Sequence, residues 1–198
     1  MRTFLALLLA GSTLTAQDAV PTFGTTVVIP SGLRGVIYML KHDTAGLPDF
    51  TKLKPKGNIY TTSLNVPPQD FRQGFPGVTN RFEWFAIDYS GRFWIQTPGL
   101  YRFRLTSDDG ARLYIDDQLI ADNDGIHPPR TIFASLKLAG GIHRMRVPYM
   151  QGPGDKVALV LKIAGPDEEF RIFSTDEFKP PANPESWAFP EPPAPAAQ

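Results

Sequence analysis

The chain has 198 residues, 42% hydrophobic and 12% aromatic, which suits one domain with terminal extensions and excludes a disordered protein. Its 20 basic and 20 acidic residues sum to a formal charge of zero with no block of one sign, which argues against a nucleic-acid partner and against a basic membrane-surface patch. Cysteine is absent, so disulfides, thiolate metal sites and a cysteine nucleophile are excluded.

Residues 1–16, MRTFLALLLAGSTLTA, read as a signal peptide. Arg2 supplies the positive end, Phe4 to Ala10 an apolar stretch too short to span a bilayer, and Ala16 a cleavage point. Export to the periplasm, the cell surface or the medium is the expectation. No later run reaches the ~18 apolar residues of a membrane helix. Residues 17–32 form a lead-in. GVIYML (35–40) is the first strand-like run. Residues 41–80 then read as long loops with little strand content, the kind of segment that carries function. In them Tyr60, Phe71 and Phe75 are candidate stacking platforms for sugar rings.

FEWFAIDY (82–89) and GRFWIQ (91–96) read as two strands separated by a turn at Ser90-Gly91, with Trp84 and Trp94 packing into the core. Strict alternation follows. Tyr101, Phe103 and Leu105 share one face of YRFRL; Ile132, Ala134, Leu136 and Leu138 share one face of TIFASLKL. Met145, Val147 and Tyr149 do so in RMRVPYM, and Val157, Leu159, Leu161 and Ile163 in VALVLKI. Pro148 predicts an edge strand or a bulge. Many short strands with frequent turns predict an all-β fold, an antiparallel sandwich or barrel. Residues 179–198, with seven of the chain's 20 prolines, are a Pro-rich tail, either unpacked or a docking segment for envelope proteins anchored by Trp187 and Phe189.

Two adjacent carboxylates, Asp108 and Asp109, precede Gly110 between two alternating runs. Asp-Gly in such a setting is a strong hairpin signal. Adjacent carboxylates also repel unless a cation is present, and calcium takes ~6–8 oxygen ligands. Both readings stand. IADNDG (120–125) reads as a solvated turn, since a helix–loop–helix calcium loop would put Ile120 at its first ligand position. His42, His127 and His143 have no histidine partner at metal-ligand spacing. His127, before Pro128-Pro129, lies in a loop that can edge a ligand site, and His143 in a strand. No nucleophile elbow, phosphate loop or dinucleotide fingerprint occurs. The Asp108–Asp109 pair would approach a glycosidic bond from one side, unlike the flanking carboxylates of a glycosidase.

SGLRGVIYML (31–40), FAIDYSGRFWIQTPGLYRFRLTSDDGARLYIDDQLIADNDG (85–125) and LAGGIHRMRVPYMQGPGDKVALVLKI (138–163) occur in the order of the protective-antigen (PA-fourteen) domain family. The chain resembles that family over 33–178. The resemblance implies a β-sandwich in a secreted or surface module that binds a glycan or polysaccharide without catalysis. In a subset of the family, paired aspartates joined by a cis peptide hold calcium, which makes calcium the candidate cofactor and Asp108 and Asp109 its matching ligands. A further ligand comes from the loop corresponding to QGPGD, where Gln151 and Asp155 stand and the usual asparagine does not. The implied metal set is Asp108, Asp109 and Asp155; the implied carbohydrate-binding set adds Gln151 and His127. Asp117 replaces a common glycine, and Asp124 a common tryptophan. The alternative is a structural or protein–protein interaction module of an envelope assembly.

Overall fold

The computed structural model describes residues 22–180, so the signal peptide assigned to 1–16 and the tail from 181, with Trp187 and Phe189, lie outside the described residues. Among the described residues there is no α-helix, and one 3-10 turn at Phe50–Lys52. The strands are β1 (Leu33–Met39), β2 (Pro55–Thr61), β3 (Asn65–Asp70), β4 (Phe85–Ile95), β5 (Gly99–Asp108) and β6 (Ala111–Ile115). They continue as β7 (Gln118–Asn123), β8 (Arg130–Leu138), β9 (Gly141–Gln151), β10 (Lys156–Ala164) and β11 (Arg171–Ile172). A first sheet runs β2-β1-β4-β9-β6-β7 and a second runs β11-β10-β5-β8, with β3 pairing β10. Every pairing is antiparallel. The fold is the expected antiparallel β-sandwich.

Alternation fixes which face goes inward. Phe85, Ile87, Tyr89, Phe93 and Ile95 of β4 and Met145, Val147 and Tyr149 of β9 are buried against Tyr101, Phe103 and Leu105 of β5 and Val157, Leu159, Leu161 and Ile163 of β10. Each fully buried large side chain contributes about 1.5–3 kcal/mol of transfer free energy, which lets the domain hold together without a disulfide.

The structure corrects several local expectations. Ser90 and Gly91 are no turn: β4 runs through them, paired to Arg146 and Met145 of β9, because a ladder on both flanks outweighs a two-residue turn signal. Segment 41–80 contains β2 and β3. Pro67 and Pro68 lie in β3, which pairs a single neighbour, so their missing N–H groups cost no ladder bond. Pro148 is not on an edge strand. It sits inside β9, opposite Asp88 of β4, where the pairing of β9 with β6 is interrupted between Tyr149 and Arg146.

Phe71 and Phe75 are core residues, 4% and 5% exposed, in a ring cluster with Phe23 and Phe85. They offer no surface to a sugar. Phe23 is itself buried, and Thr25 bridges to Tyr60, so part of the lead-in belongs to the domain. Trp84 is buried, whereas Trp94 is half-buried on the outer face of β4, with its Nε1 donating to Gln96.

Strand order decides where the acidic pair lies. β5 belongs to the second sheet and β6 to the first. Residues 109–110 are therefore a crossing from one sheet to the other and not a tight hairpin. The chain crosses between the same sheets at 124–129, from β7 to β8, and at 152–155, from β9 to β10.

Candidate functional site

The three crossings meet at one end of the sandwich. The Asp109 carboxylate joins them: its Oδ1 accepts the backbone N–H of His127 at 2.9 Å, and its Oδ2 accepts that of Gly152 at 2.8 Å. The peptide between Asp108 and Asp109 is cis, as the resemblance implied. Gly110 closes the crossing. A Cβ there would stand 2.8 Å from Asp124 Oδ1 and 3.0 Å from the Gly125 nitrogen, so any larger residue must push the Asp124 carboxylate and the Gly125 backbone aside. Its carbonyl accepts the N–H of Met150 at 2.8 Å.

Asp108 is held differently. Its backbone carbonyl accepts from the Tyr149 hydroxyl at 2.6 Å. Its carboxylate makes no hydrogen bond or ion pair with any described residue, although Asp108 is 6% exposed. Burial, reinforced by the neighbouring Asp109 charge, pushes the Asp108 carboxyl up to about 6. Burial also raises Asp109, against the pull of the Gly152 and His127 N–H groups.

Both aspartates line an open cleft of about 650 Å³, together with Pro68 and Gln69 of β3, Ile126 to Pro129, Pro153, and Lys156 and Val157 of β10. His127 is at this cleft as expected. Its ring nitrogens lie 2.9 Å from the carbonyl oxygens of Pro128 and Asn123, so the imidazole braces its own loop.

Gln151 and Asp155 are not brought to the cleft. Gln151 is fully buried; its Oε1 accepts from Tyr149 at 2.7 Å and its Nε2 donates to the Lys156 carbonyl at 2.9 Å. Gln151 thus sets the shape of the glycine-rich crossing from inside. The Asp155 carboxylate pairs with Arg72, which holds its pKa below the usual range. No group of three His, Cys, Asp or Glu side chains able to hold a metal occurs among the described residues, so Asp155 does not join Asp108 and Asp109 as a third carboxylate.

Sequence reasoning missed Asn123 and Tyr149. Asn123 is fully buried at the end of β7. Its Nδ2 donates to Ser107 Oγ at 2.8 Å and to the Arg130 carbonyl at 3.0 Å, and its Oδ1 accepts from Arg130 Nε at 2.6 Å. Its only mark in the sequence was a polar residue ending an apolar run. Asp124, read as solvated, accepts the N–H of Leu47 at 2.7 Å and pairs with Arg112 at 3.2 Å, tying the 41–50 segment to this corner. His143 is buried in β9, with Nδ1 2.6 Å from Asp116 Oδ2, on the far side of the fold's acidic crossing.

The chemistry available is that of an all-oxygen site. One carboxylate is fixed by two amide donors, and the other faces the cleft with no donor from a described residue. That donor set fits a hard cation such as calcium, with the remaining ligands neutral oxygens. It does not fit zinc or another metal that prefers nitrogen and sulfur.

Two antiparallel sheets that exchange strands at adjoining corners, with a buried acidic pair at the rim cleft, define an all-β sandwich module. The chain belongs to the PA14 domain family, which it matches over residues 32–172. Its fold is similar to that of the PA14 sugar-binding domain from an RTX adhesin, at 17% identity and a TM-score of 0.62, over 75% of this chain and 97% of that one. It is also similar to the epithelial adhesin 9 A domain from Candida glabrata in complex with Galβ1-3GlcNAc, at 14% identity and TM-score 0.55, over 74% and 87% of the two chains. A β-glucosidase from Kluyveromyces marxianus matches at 20% identity and TM-score 0.53, over 70% of this chain and 17% of the glucosidase. No curated protein matches the chain.

Proposed function

We propose that the protein is an exported, non-catalytic carbohydrate-binding module that works at the cell envelope or outside the cell, with calcium as the bridging ion. One observation carries the reading: the Asp108 carboxylate, with no donor from a described residue, opens onto a cleft beside the anchored Asp109. Two adjacent, partly desolvated carboxylates repel, and a bound cation offsets that cost. Asp108 and Asp109 would hold the ion. Calcium takes ~6–8 oxygens, so backbone carbonyls of the rim, water and vicinal sugar hydroxyls complete the shell. The printed descriptions of the two adhesin domains, one sugar-binding and one in complex with a disaccharide, support a glycan as the ligand. The same adhesin descriptions support a surface or extracellular setting. Adjacent carboxylates on one side of a cleft are the wrong arrangement for glycoside hydrolysis, which needs two carboxyls ~5–9.5 Å apart across the bond.

The test is a calorimetric titration of calcium into the protein and into Asp109→Ala, paired with a glycan array read with calcium and with chelator. Binding heat in the parent only, and array signal lost with chelator, are expected. Equal heats, or none, remove the ion. Signal that survives chelation separates sugar binding from calcium, and an array silent under both conditions removes the glycan.

A further inference from the structure

The two outer faces of the sandwich treat their cations differently. On the first sheet the arginines are matched: Arg112 pairs with Asp122, Arg144 with Asp117 and Arg146 with Asp88. The second sheet has such pairs only towards its margin, Lys156 with Asp70 and Arg171 with Glu168 and Glu177, and none at its centre. Its strands β5, β8 and β10 contain no Asp or Glu at 99–107, 130–138 or 157–164. Arg102, Arg104, Lys137 and Lys162 stand on their outward face, and none of the four forms an ion pair with a described residue. Arg104 sits directly opposite Lys162 on one side, where like charges destabilise a ladder, and opposite Phe133 on the other.

Aromatic rings are interleaved with these cations. Phe133 is 65% exposed, and the Arg104 guanidinium lies 5.7 Å from its centroid. Arg102 lies 5.3 Å from the Phe170 centroid, and the two rings are 6.3 Å apart. The result is a shallow cationic and aromatic platform on a chain of zero formal charge.

We propose that this face binds an acidic polysaccharide, a uronate or sulfated glycan, independently of the cleft at Asp108 and Asp109. Charge complementarity selects the occupant. Carboxylate or sulfate groups spaced along a polymer meet cations spaced by the sheet, ~4.8 Å between strands and ~6.8 Å between alternate residues. Guanidinium forks bind such oxyanions in two-point fashion. The exposed Phe133 ring gives the apolar C–H face of a pyranose a surface to lie on. A second copy of the chain is disfavoured, because it would set four cations against four. A lipid surface is disfavoured because each ring is flanked by a guanidinium, which would have to lose its water as the ring entered.

The experiment measures binding of the full chain to immobilised polygalacturonate and dextran sulfate, with neutral dextran as control, and repeats it for Arg102→Gln/Arg104→Gln and in the presence of chelator. The parent is expected to bind both acidic polymers and not dextran, more weakly as salt rises. The double variant should lose at least tenfold in affinity with an unchanged thermal melt, and chelator should change nothing. If the double variant melts early, Lys137→Gln/Lys162→Gln takes its place with the same expectation. Unchanged affinity in the folded charge variants would overturn the proposal. So would tighter binding to phosphatidylserine vesicles or to single-stranded DNA than to either acidic polymer.

Discussion

The hydroxyl of Tyr149 lies 2.6 Å from the backbone carbonyl oxygen of Asp108, so a central strand of the first sheet holds the last residue of β5 in the second. The same hydroxyl is 2.7 Å from Gln151 Oε1. Tyr149→Phe keeps the ring against Phe23 and Phe85 but removes the single O–H proton that the two buried acceptors share. The expected loss is about 1–3 kcal/mol in chemical denaturation, with weaker calcium uptake in calorimetry. Unchanged stability would show that the hydroxyl does not brace the crossing.

Mild acid should relieve the cost of the Asp108 charge in the calcium-free protein. The Asp108 carboxyl is raised from 3.8 to about 6, so between those values the folded chain binds a proton that the unfolded chain has released. The contribution of this group therefore rises as pH falls from 7 towards 4 and is lost as pH rises through about 6, by about 1–2 kcal/mol once screening by water in the cleft is allowed for. Asp108→Asn removes the burden. It should be more stable than the parent at pH 7.5 without calcium and no more stable at pH 4. Identical pH dependence of the two melts would sink this account.

Gly110→Ala should damage the corner. The new methyl would stand 2.8 Å from Asp124 Oδ1 and 3.0 Å from the backbone of Gly125. The loop carrying His127 must then shift, and its bond to Asp109 shifts with it. Overpacking of this kind costs about 1–3 kcal/mol. A thermal melt and the calcium titration read the two effects, and a neutral substitution would mean that the crossing is more pliant than its contacts imply.

Phe71→Ala distinguishes a core ring from a sugar platform. Its ring is 5.2 Å from Phe23 and 5.4 Å from Phe75 and is nearly fully buried. A loss of about 3–5 kcal/mol is expected, with glycan affinity per folded molecule retained. Unaltered stability with lost glycan binding would reverse the assignment.

The strands that the sequence marked most clearly were those with strict alternation. Phe103 and Leu105, Met145 and Val147, and Leu159 and Leu161 all face the core as their spacing required. The signals that misled were those that neighbouring strands override. Ser90-Gly91 looked like a turn only while β9 was out of view, and Phe71 and Phe75 looked free only while Phe23 was assigned to a lead-in outside the domain.

By itself the sequence determined the all-β class and the inward faces of most strands and singled out the Asp108–Asp109 pair, because alternation and adjacent charge are properties of a few consecutive residues. Only the tertiary structure decided what that pair meets. Asp109 reaches His127 across 18 residues and Gly152 across 43, and neither contact exists until β5, β7 and β9 each hand the chain from one sheet to the other at the same end. The same packing turned Asp155 towards Arg72 and Gln151 inward to Tyr149, since the direction of a side chain on a crossing is set by the strands on either side of it and by no pattern along the chain.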